Sequence, residues 1–426
     1  MNTVGSRSGK SGDWRIYAGG STIMLVGVVV LAALTRTWVL TAIPVGFLFG
    51  FFMQKGDLCG ASAFSEVPLM KSGRKVWGLW VWIVIGMVGL AALDLLGWAK
   101  LAPKSFIWVN YLAGGVVFGV GTVLAGGCVS GSLFKTGVGH LNSMMALLGI
   151  ALGVAAVEYG PLHALYVHCK EAYLIKAADG GPVTLSSLIG LPFWLLAVII
   201  AAITLVMPLL FRARLPQGGQ QLTASPGDAS WSRVLTRRTW KPWHAGVALG
   251  VLTALSLPSS ASSGRNYPLG VTHGVGQTQL LITDSNLKHI WQKPPASPKA
   301  EAAAVGVQQP SSGSGPAAAP AVQQKKVVWW LVAEVLSLIA GAWVAAKMSG
   351  EARLYPKPPE QVVIAVFGGL LVGCGAAFAE GCFIGNMTTG WALMSIGNVV
   401  FGVAAILANW ATTYFYLMGG SLFGSE

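Results

Sequence analysis

Two distant stretches share one pattern of small residues that ends in a Gly-Cys pair. The first runs Gly114-Gly115, Gly119, Gly121, Ala125, Gly127-Cys128 and Gly131. The second runs Gly368-Gly369, Gly373, Gly375, Ala379, Gly381-Cys382 and Gly385, each residue 254 positions after its counterpart. An ungapped match of this kind is an internal repeat. A bare cysteine at such a place offers two kinds of chemistry. As a neutral thiol it is a weak donor with a polarisable sulfur, suited to handing on a soft anion. As a thiolate it is a nucleophile, which calls for a base close by. Glu380, two residues before Cys382, is the one candidate base, and Gly126 stands in its place in the first copy. Close helix packing in a membrane also selects Gly and Ala at this spacing. Two thiols at matched breaks are more than packing requires, so Cys128 and Cys382 are expected to face one pathway.

The surrounding chain must be a membrane protein. Of 426 residues, 54% are hydrophobic and only 10% are charged, and the mean hydropathy is +0.63. Soluble domains carry roughly a quarter charged residues. Fifty-six glycines and seventeen tryptophans fit helix contacts and interfacial belts. The net charge of +13 is spread over short loops and tails, which reads as a topology signal and not as nucleic-acid binding. The five cysteines show no CxxC and no zinc spacing, so no metal or other cofactor is expected. His163, His168 and Cys169 lie in an expected loop over 160–184 and supply too few ligands for a structural metal site. Without a Walker motif, no ATP hydrolysis is expected. The fold class is an all-α integral membrane protein of about 9–10 spanning helices with short re-entrant pieces.

Along the chain, a Gly/Ser-rich, basic tail over 1–15 precedes a first repeat over 16–184 and a second over 185–426. Spans are expected near 16–35, 38–53, 76–97, 109–126 and 142–158, then near 186–211, 243–257, 327–346, 361–379 and 391–418. The second repeat holds a linker, 212–242, and an Ala/Pro/Gln/Ser-rich insertion, 293–326, expected to be disordered. A further pair of breaks lies at Gln54–Ser62 and Gly264–Thr272, where Lys55 matches Arg265, Gly60 matches Gly270 and Ser62 matches Thr272. Leu269 stands opposite Cys59, so that thiol has no partner in the repeat. Five spans per half invert the second repeat, a plan that places a transporter's site at the repeat interface. Most of the 28 basic residues then share the side of the N-terminus, expected to be cytoplasmic.

Broken backbone at membrane depth must line a polar cavity or be buried in protein. Gly127, Gly131, Gly381 and Gly385 mark the two cysteine breaks. Lys55 and Arg265 at matched places, with Lys135 and His140 past the first cysteine break, are candidates to draw anions in. Snorkelling to the interface is the plainer role for any one of them. Cys374, inside a glycine-rich helix, is expected only to pack, as a small buried hydrophobe.

The breaks resemble the YeeE/YedE sulfur-transport proteins of bacterial inner membranes. The matching stretches are Leu58–Phe64, Phe118–Cys128 with its GVG and AGGC runs, and Glu380–Gly385. The resemblance implies an hourglass-shaped protein with paired funnels, and thiosulfate or a related sulfur anion as cargo. It also implies a substrate relay through Cys59, Cys128 and Cys382 by transient S–H hydrogen bonds, without enzymatic turnover. A different sulfur or selenium oxyanion is the alternative cargo. A membrane thiol enzyme or persulfide relay, and a purely structural subunit, are the alternative functions. A soluble cytoplasmic sulfur-carrier protein is an open candidate partner beside the bilayer and the anion.

Overall fold

The first membrane helix begins at Trp14, and apolar runs of about twenty residues build the rest. The computed structural model describes residues 14–98, 100–177, 180–211, 240–291, 325–417 and 419. Most of the 1–15 tail, and almost all of the 212–242 linker and the 293–326 insertion, lie outside the described residues. The first half comprises α1 (Trp14–Thr35), α2 (Ala42–Gly56), α3 (Gly60–Met70), α4 (Arg74–Leu95), α5 (Trp108–Leu124), α6 (Val129–Val138), α7 (Leu141–Glu158) and α8 (His163–Ala172). Then come α9 (Leu185–Ile189), α10 (Phe193–Phe211), α11 (Pro242–Ser262), α12 (Thr272–Thr283), α13 (Trp329–Ser349), α14 (Pro359–Phe378), α15 (Thr389–Ala392) and α16 (Ile396–Thr412).

Among the described residues, nine helical stretches are long and apolar enough to cross a membrane. Three of them, Trp38–Met70, Trp108–Val138 and Pro359–Ala392, join a full helix to a short continuation across a break. The chain is an all-α membrane protein, and the spans begin and end close to their expected limits. Two expectations need correction. The 160–184 loop contains a helix, α8, whose polar residues hide it from a search for spans. The expected span over 186–211 is split, because Gly190 ends α9 in the left-handed conformation (φ +74°) and Pro192 precedes a new helix start. The span itself is α10, Phe193–Phe211, which starts seven residues later than expected.

Helices pack in pairs that repeat across the two halves. α4 lies along α11 and α2 along α13, while α5 lies along α16 and α7 along α14. α5 also packs on α14, the two helices that carry the glycine repeat. These contacts depend on the absent side chains: a Cβ on Gly114 would come within 2.8 Å of the Gly375 carbonyl, and one on Gly375 within 2.5 Å of the Phe118 amide. So the glycines before each break serve close approach. α1 stands apart, with only Ala32 buried and its apolar surface turned outward, the pattern of a helix that faces lipid tails.

Two small ribbons tie the loops. β1 (Phe106–Ile107) pairs antiparallel with β2 (Leu174–Ile175), which fastens the chain after α8 to the start of α5. β3 (Leu287–Ile290) pairs parallel with β4 (Lys325–Val328), with Leu287 opposite Lys325 and Ile290 opposite Val328.

Candidate functional site

Each of the three expected pathway cysteines occupies the residue just before a new helical turn. Cys59 precedes α3, Cys128 precedes α6, and Cys382 precedes a wide turn over Phe383–Thr388. The two repeat breaks have the same backbone. Cys128 has φ −82° and ψ −179°, and Cys382 has φ −87° and ψ −164°. Gly127 N–H donates to Thr122 and Gly381 N–H to Ala376, each at the end of its helix. Two residues before each cysteine the chain turns left-handed, at Gly126 (φ +67°) and at Glu380 (φ +56°). A lysine amine then caps each of these carbonyls: Lys135 Nζ donates to Gly126 O at 2.7 Å, and Lys104 Nζ donates to Glu380 O.

The two breaks differ in what fills the space beside their glycines. Gly131 makes room for a thiol, since a Cβ there would sit 2.4 Å from Cys59 Sγ. Cys59 and Cys128 therefore meet, with 3.8 Å between their sulfurs, and Cys128 Sγ lies 3.4 Å from Ser130 Oγ. Both thiols are fully buried. At the second break a Cβ on Gly381 would lie 2.7 Å from Lys104 Nζ, and one on Gly385 3.7 Å from the same atom. Lys104 Nζ also donates to Asn386 Oδ1 at 3.0 Å. Cys382 is buried too, but among the described residues no hydrogen bond links it to the other pair. Its neighbour Phe383 packs on Gly60, one residue past Cys59, and its ring centroid lies 5.9 Å from that of Phe64.

Above the second break lies a cavity of about 470 Å³. Its lining includes Lys104, Lys170, Arg265, His273, Glu380 and the break glycines Gly381 and Gly385. Lys170 and Tyr166 come from α8 and both bind the Glu380 carboxylate, at 2.6 and 2.9 Å. Arg265 Nη1 donates to the Pro268 carbonyl at 2.8 Å, and its guanidinium stacks on Tyr267 and Trp330. Among the described residues, neither Lys104 nor Arg265 has a carboxylate within ion-pair distance. The cavity thus holds more positive than negative charge. Burial lowers the Lys104 pKa to about 8, with the nearby Glu380 charge opposing that fall.

Of the basic residues singled out from the sequence, Arg265 lines the cavity. Lys135 caps the Gly126 carbonyl on the other break. Lys55 is not at an open mouth: it is buried and donates to Ser349 Oγ at 2.6 Å, holding α2 to the end of α13. His140 stacks on Tyr355, with ring centroids 4.6 Å apart. Lys104 and Lys170 were not foreseen. They sit in connecting segments, which the ribbon between β1 and β2 and the packing of α8 on α5 and α7 bring over the break. Cys374 is half-buried on α14 and donates to the Gly153 carbonyl of α7 at 3.5 Å, a packing contact. Cys169 is buried on α8. Among the described residues no group of three or more His, Cys, Asp or Glu side chains gathers as a metal site would require.

The family described as sulphur transport matches residues 55–411, which span every break described above. The chain belongs to this family. It is similar to a thiosulfate transporter, TsuA, from Spirochaeta thermophila, 30% identical over 88% of this chain and 98% of that protein. The Escherichia coli protein of the same name is 26% identical over 88% of this chain and 94% of its own length. A probable transporter, YedE, from Salmonella typhimurium is 27% identical over 32% of this chain and 34% of its own length. With these relatives and the nine apolar stretches among its described residues, the chain is a multi-pass membrane transporter of the sulphur transport family.

Proposed function

We propose that the chain takes up thiosulfate, or a related sulfur oxyanion, through a pathway that runs from the cationic cavity past Cys382 to the Cys59–Cys128 pair. The observation that carries this reading is the cavity itself: surplus positive charge stands directly over the glycine break that holds Cys382. A thiol donates weakly, so it can hand on a soft anion without trapping it. The broken backbone beside Cys59 and Cys128 adds the N-terminal ends of α3 and α6, which favour negative charge. The matched helix pairs and matched break geometry support two repeats related by a two-fold axis, inverted in the membrane. The cavity then opens outward, the N-terminus lies in the cytoplasm of a bacterial cell, and the membrane is the inner one. A soluble sulfur carrier would meet the anion at the opposite face, beside Lys135.

Covalent thiol chemistry at Cys382 would need a free base beside it. Glu380, the candidate read from the sequence, has its carboxylate engaged by Lys170 and Tyr166, and Lys104 Nζ is committed to the Glu380 carbonyl and to Asn386 Oδ1. Transport without bond breaking is therefore the reading preferred here.

Cells lacking their own thiosulfate and sulfate importers will test the proposal directly. Expression of this chain should restore growth on thiosulfate as sole sulfur source and uptake of the labelled anion. Expression in the membrane with neither effect would refute it for thiosulfate, and sulfite, selenite or sulfate in the same assay would show whether another oxyanion is carried.

The charge on Lys104 gives a second expected result. As pH rises through about 8, Lys104 loses its proton, so thiosulfate affinity should fall on the alkaline side. Removing one charge-assisted hydrogen bond is worth about 1.5–3 kcal/mol, a loss of roughly ten- to a hundredfold. Lys104→Arg should move that fall to higher pH, and Lys104→Ala should show weak binding throughout. Titration of purified protein across pH 6–10 checks this (a range chosen around the amine, whose ordinary pKa is about 10.4), and an unchanged alkaline limb in Lys104→Arg would rule it out.

A further inference from the structure

Below the cavity lies a carboxyl group that transport of an anion does not call for. Glu334 sits on α13, one turn past Trp330, and is fully buried. Its Oε1 accepts the Gly270 amide at 3.4 Å, and its Oε2 has no hydrogen-bond partner. Among the described residues no basic nitrogen forms an ion pair with it. An ionised carboxylate without such a partner is very costly at this depth, and the usual relief is to hold a proton.

Gly270 connects this group to the cavity. Its amide faces Glu334, while a Cβ built on it would lie 2.4 Å from Arg265 Nη2. Arg265 and Glu334 thus flank one glycine of the cavity wall. When no anion is bound, the guanidinium is the nearest charge able to stabilise an ionised Glu334. When an anion occupies Arg265, that support is used up and the negative ligand repels the carboxylate, so Glu334 gains a proton.

We propose that Glu334 is a proton-binding site linked to anion occupancy, so that the anion enters the cavity together with one proton. The proposal rests on the anion-transport reading above. The step is a simple protonation: Oε2 takes a proton from the solution on the cavity side as the anion settles on Arg265, and gives it back to solution after the anion has moved on. Linkage makes the effect reciprocal, with acid strengthening anion binding as much as the anion strengthens proton binding, typically roughly 5- to 150-fold.

Other charged groups facing Glu334 from its neighbours do not offer a substitute. On α2 the only one is Lys55, bound to Ser349 at the opposite end of α13. On α6 it is Lys135, on the Gly126 carbonyl. On α12 it is His273, paired with Glu158 at 2.6 Å. On α1 it is Arg15, stacked on Trp14, and the 3-10 turn Trp38–Thr41 carries none. Lys347, on α13 itself, stacks on Trp343 towards its far end.

Thiosulfate is titrated into purified, weakly buffered protein with a pH indicator, and binding is measured in parallel by calorimetry. The wild type should take up close to one proton per anion bound. Near pH 7 and below (roughly a unit under the Lys104 amine, which then already holds its proton), Glu334→Gln, which keeps the acceptor for Gly270 and mimics the protonated acid, should bind the anion with no proton uptake and with affinity that no longer improves on further acidification. In liposomes, acid on the cavity side should speed anion entry by the wild type and leave the rate of Glu334→Gln unchanged. Anion binding by the wild type without proton uptake would overturn the proposal, as would equal uptake by both proteins. No binding by the wild type at all would instead overturn the transport reading, and this proposal with it.

Discussion

Cys382→Ala will reduce thiosulfate uptake roughly two- to tenfold, the effect of removing one weak hydrogen-bond donor, worth about 0.5–1.5 kcal/mol. Cys128→Ala will do the same. The side chain is small, so the cavity left behind is minor and the protein should still reach the membrane. Cys382→Ser separates the mechanisms. A hydroxyl still donates a hydrogen bond, so a relay of transient contacts should keep part of its rate, whereas nucleophilic attack by sulfur would be lost in both variants. Initial rates of labelled thiosulfate uptake, normalised to protein in the membrane, provide the measurement. Full uptake in all three variants would leave the thiols with packing as their only role.

Gly341→Leu will prevent stable assembly of the α2–α13 pair. A Cβ on Gly341 would lie 1.9 Å from the Phe47 carbonyl oxygen, and one on Gly50 would lie 1.9 Å from that of Leu338. These contacts are with backbone, which cannot rotate aside as a side chain does. Overpacking a well-filled site costs about 1–3 kcal/mol and occasionally more, and a whole side chain between two backbones belongs at the upper end. Gly341→Ala should be milder in degree and the same in sign. Thermal unfolding in detergent, followed by tryptophan fluorescence, will show it as a lower midpoint or as loss of the monodisperse peak. An unchanged midpoint for Gly341→Leu would mean that the two helices sit further apart than described here.

The parts of the fold that a linear pattern encodes were legible before any coordinates. Glycine density and the paired Gly-Cys steps mark the breaks at Cys128 and Cys382, because backbone that must bend or approach closely leaves its trace in residue type. The break at Asp57–Cys59 was visible for the same reason. The split between α9 and α10 was also written in the chain, as Gly190-Leu191-Pro192, but a continuous apolar run outweighed it. Lys104 and Lys170 had no such trace. Their place over Cys382 depends on how two loops fold back, through a ribbon of two residues per strand. Lys55 shows the opposite failure: its match to Arg265 was real in sequence, yet one is buried on Ser349 while the other lines the cavity. Repeat symmetry fixes backbone more tightly than it fixes what a long side chain reaches. Glu334 had the clearest unused signal, a lone carboxylate early in an apolar helix.

The position of Cys59 and Cys128 just ahead of α3 and α6 has a consequence for engineering. Neither side chain makes a capping bond to its helix, although serine, aspartate or asparagine at such a position would stabilise it by about 1 kcal/mol. Thermal tolerance has been left unclaimed at two points in the middle of the protein. A screen for heat-resistant variants should therefore recover Cys59→Ser and Cys128→Ser, whose hydroxyls can cap the helix without burying a charge, and each would trade the soft thiol for a harder donor. Sturdier versions of this transporter selected in that way should be the ones that carry the anion more slowly.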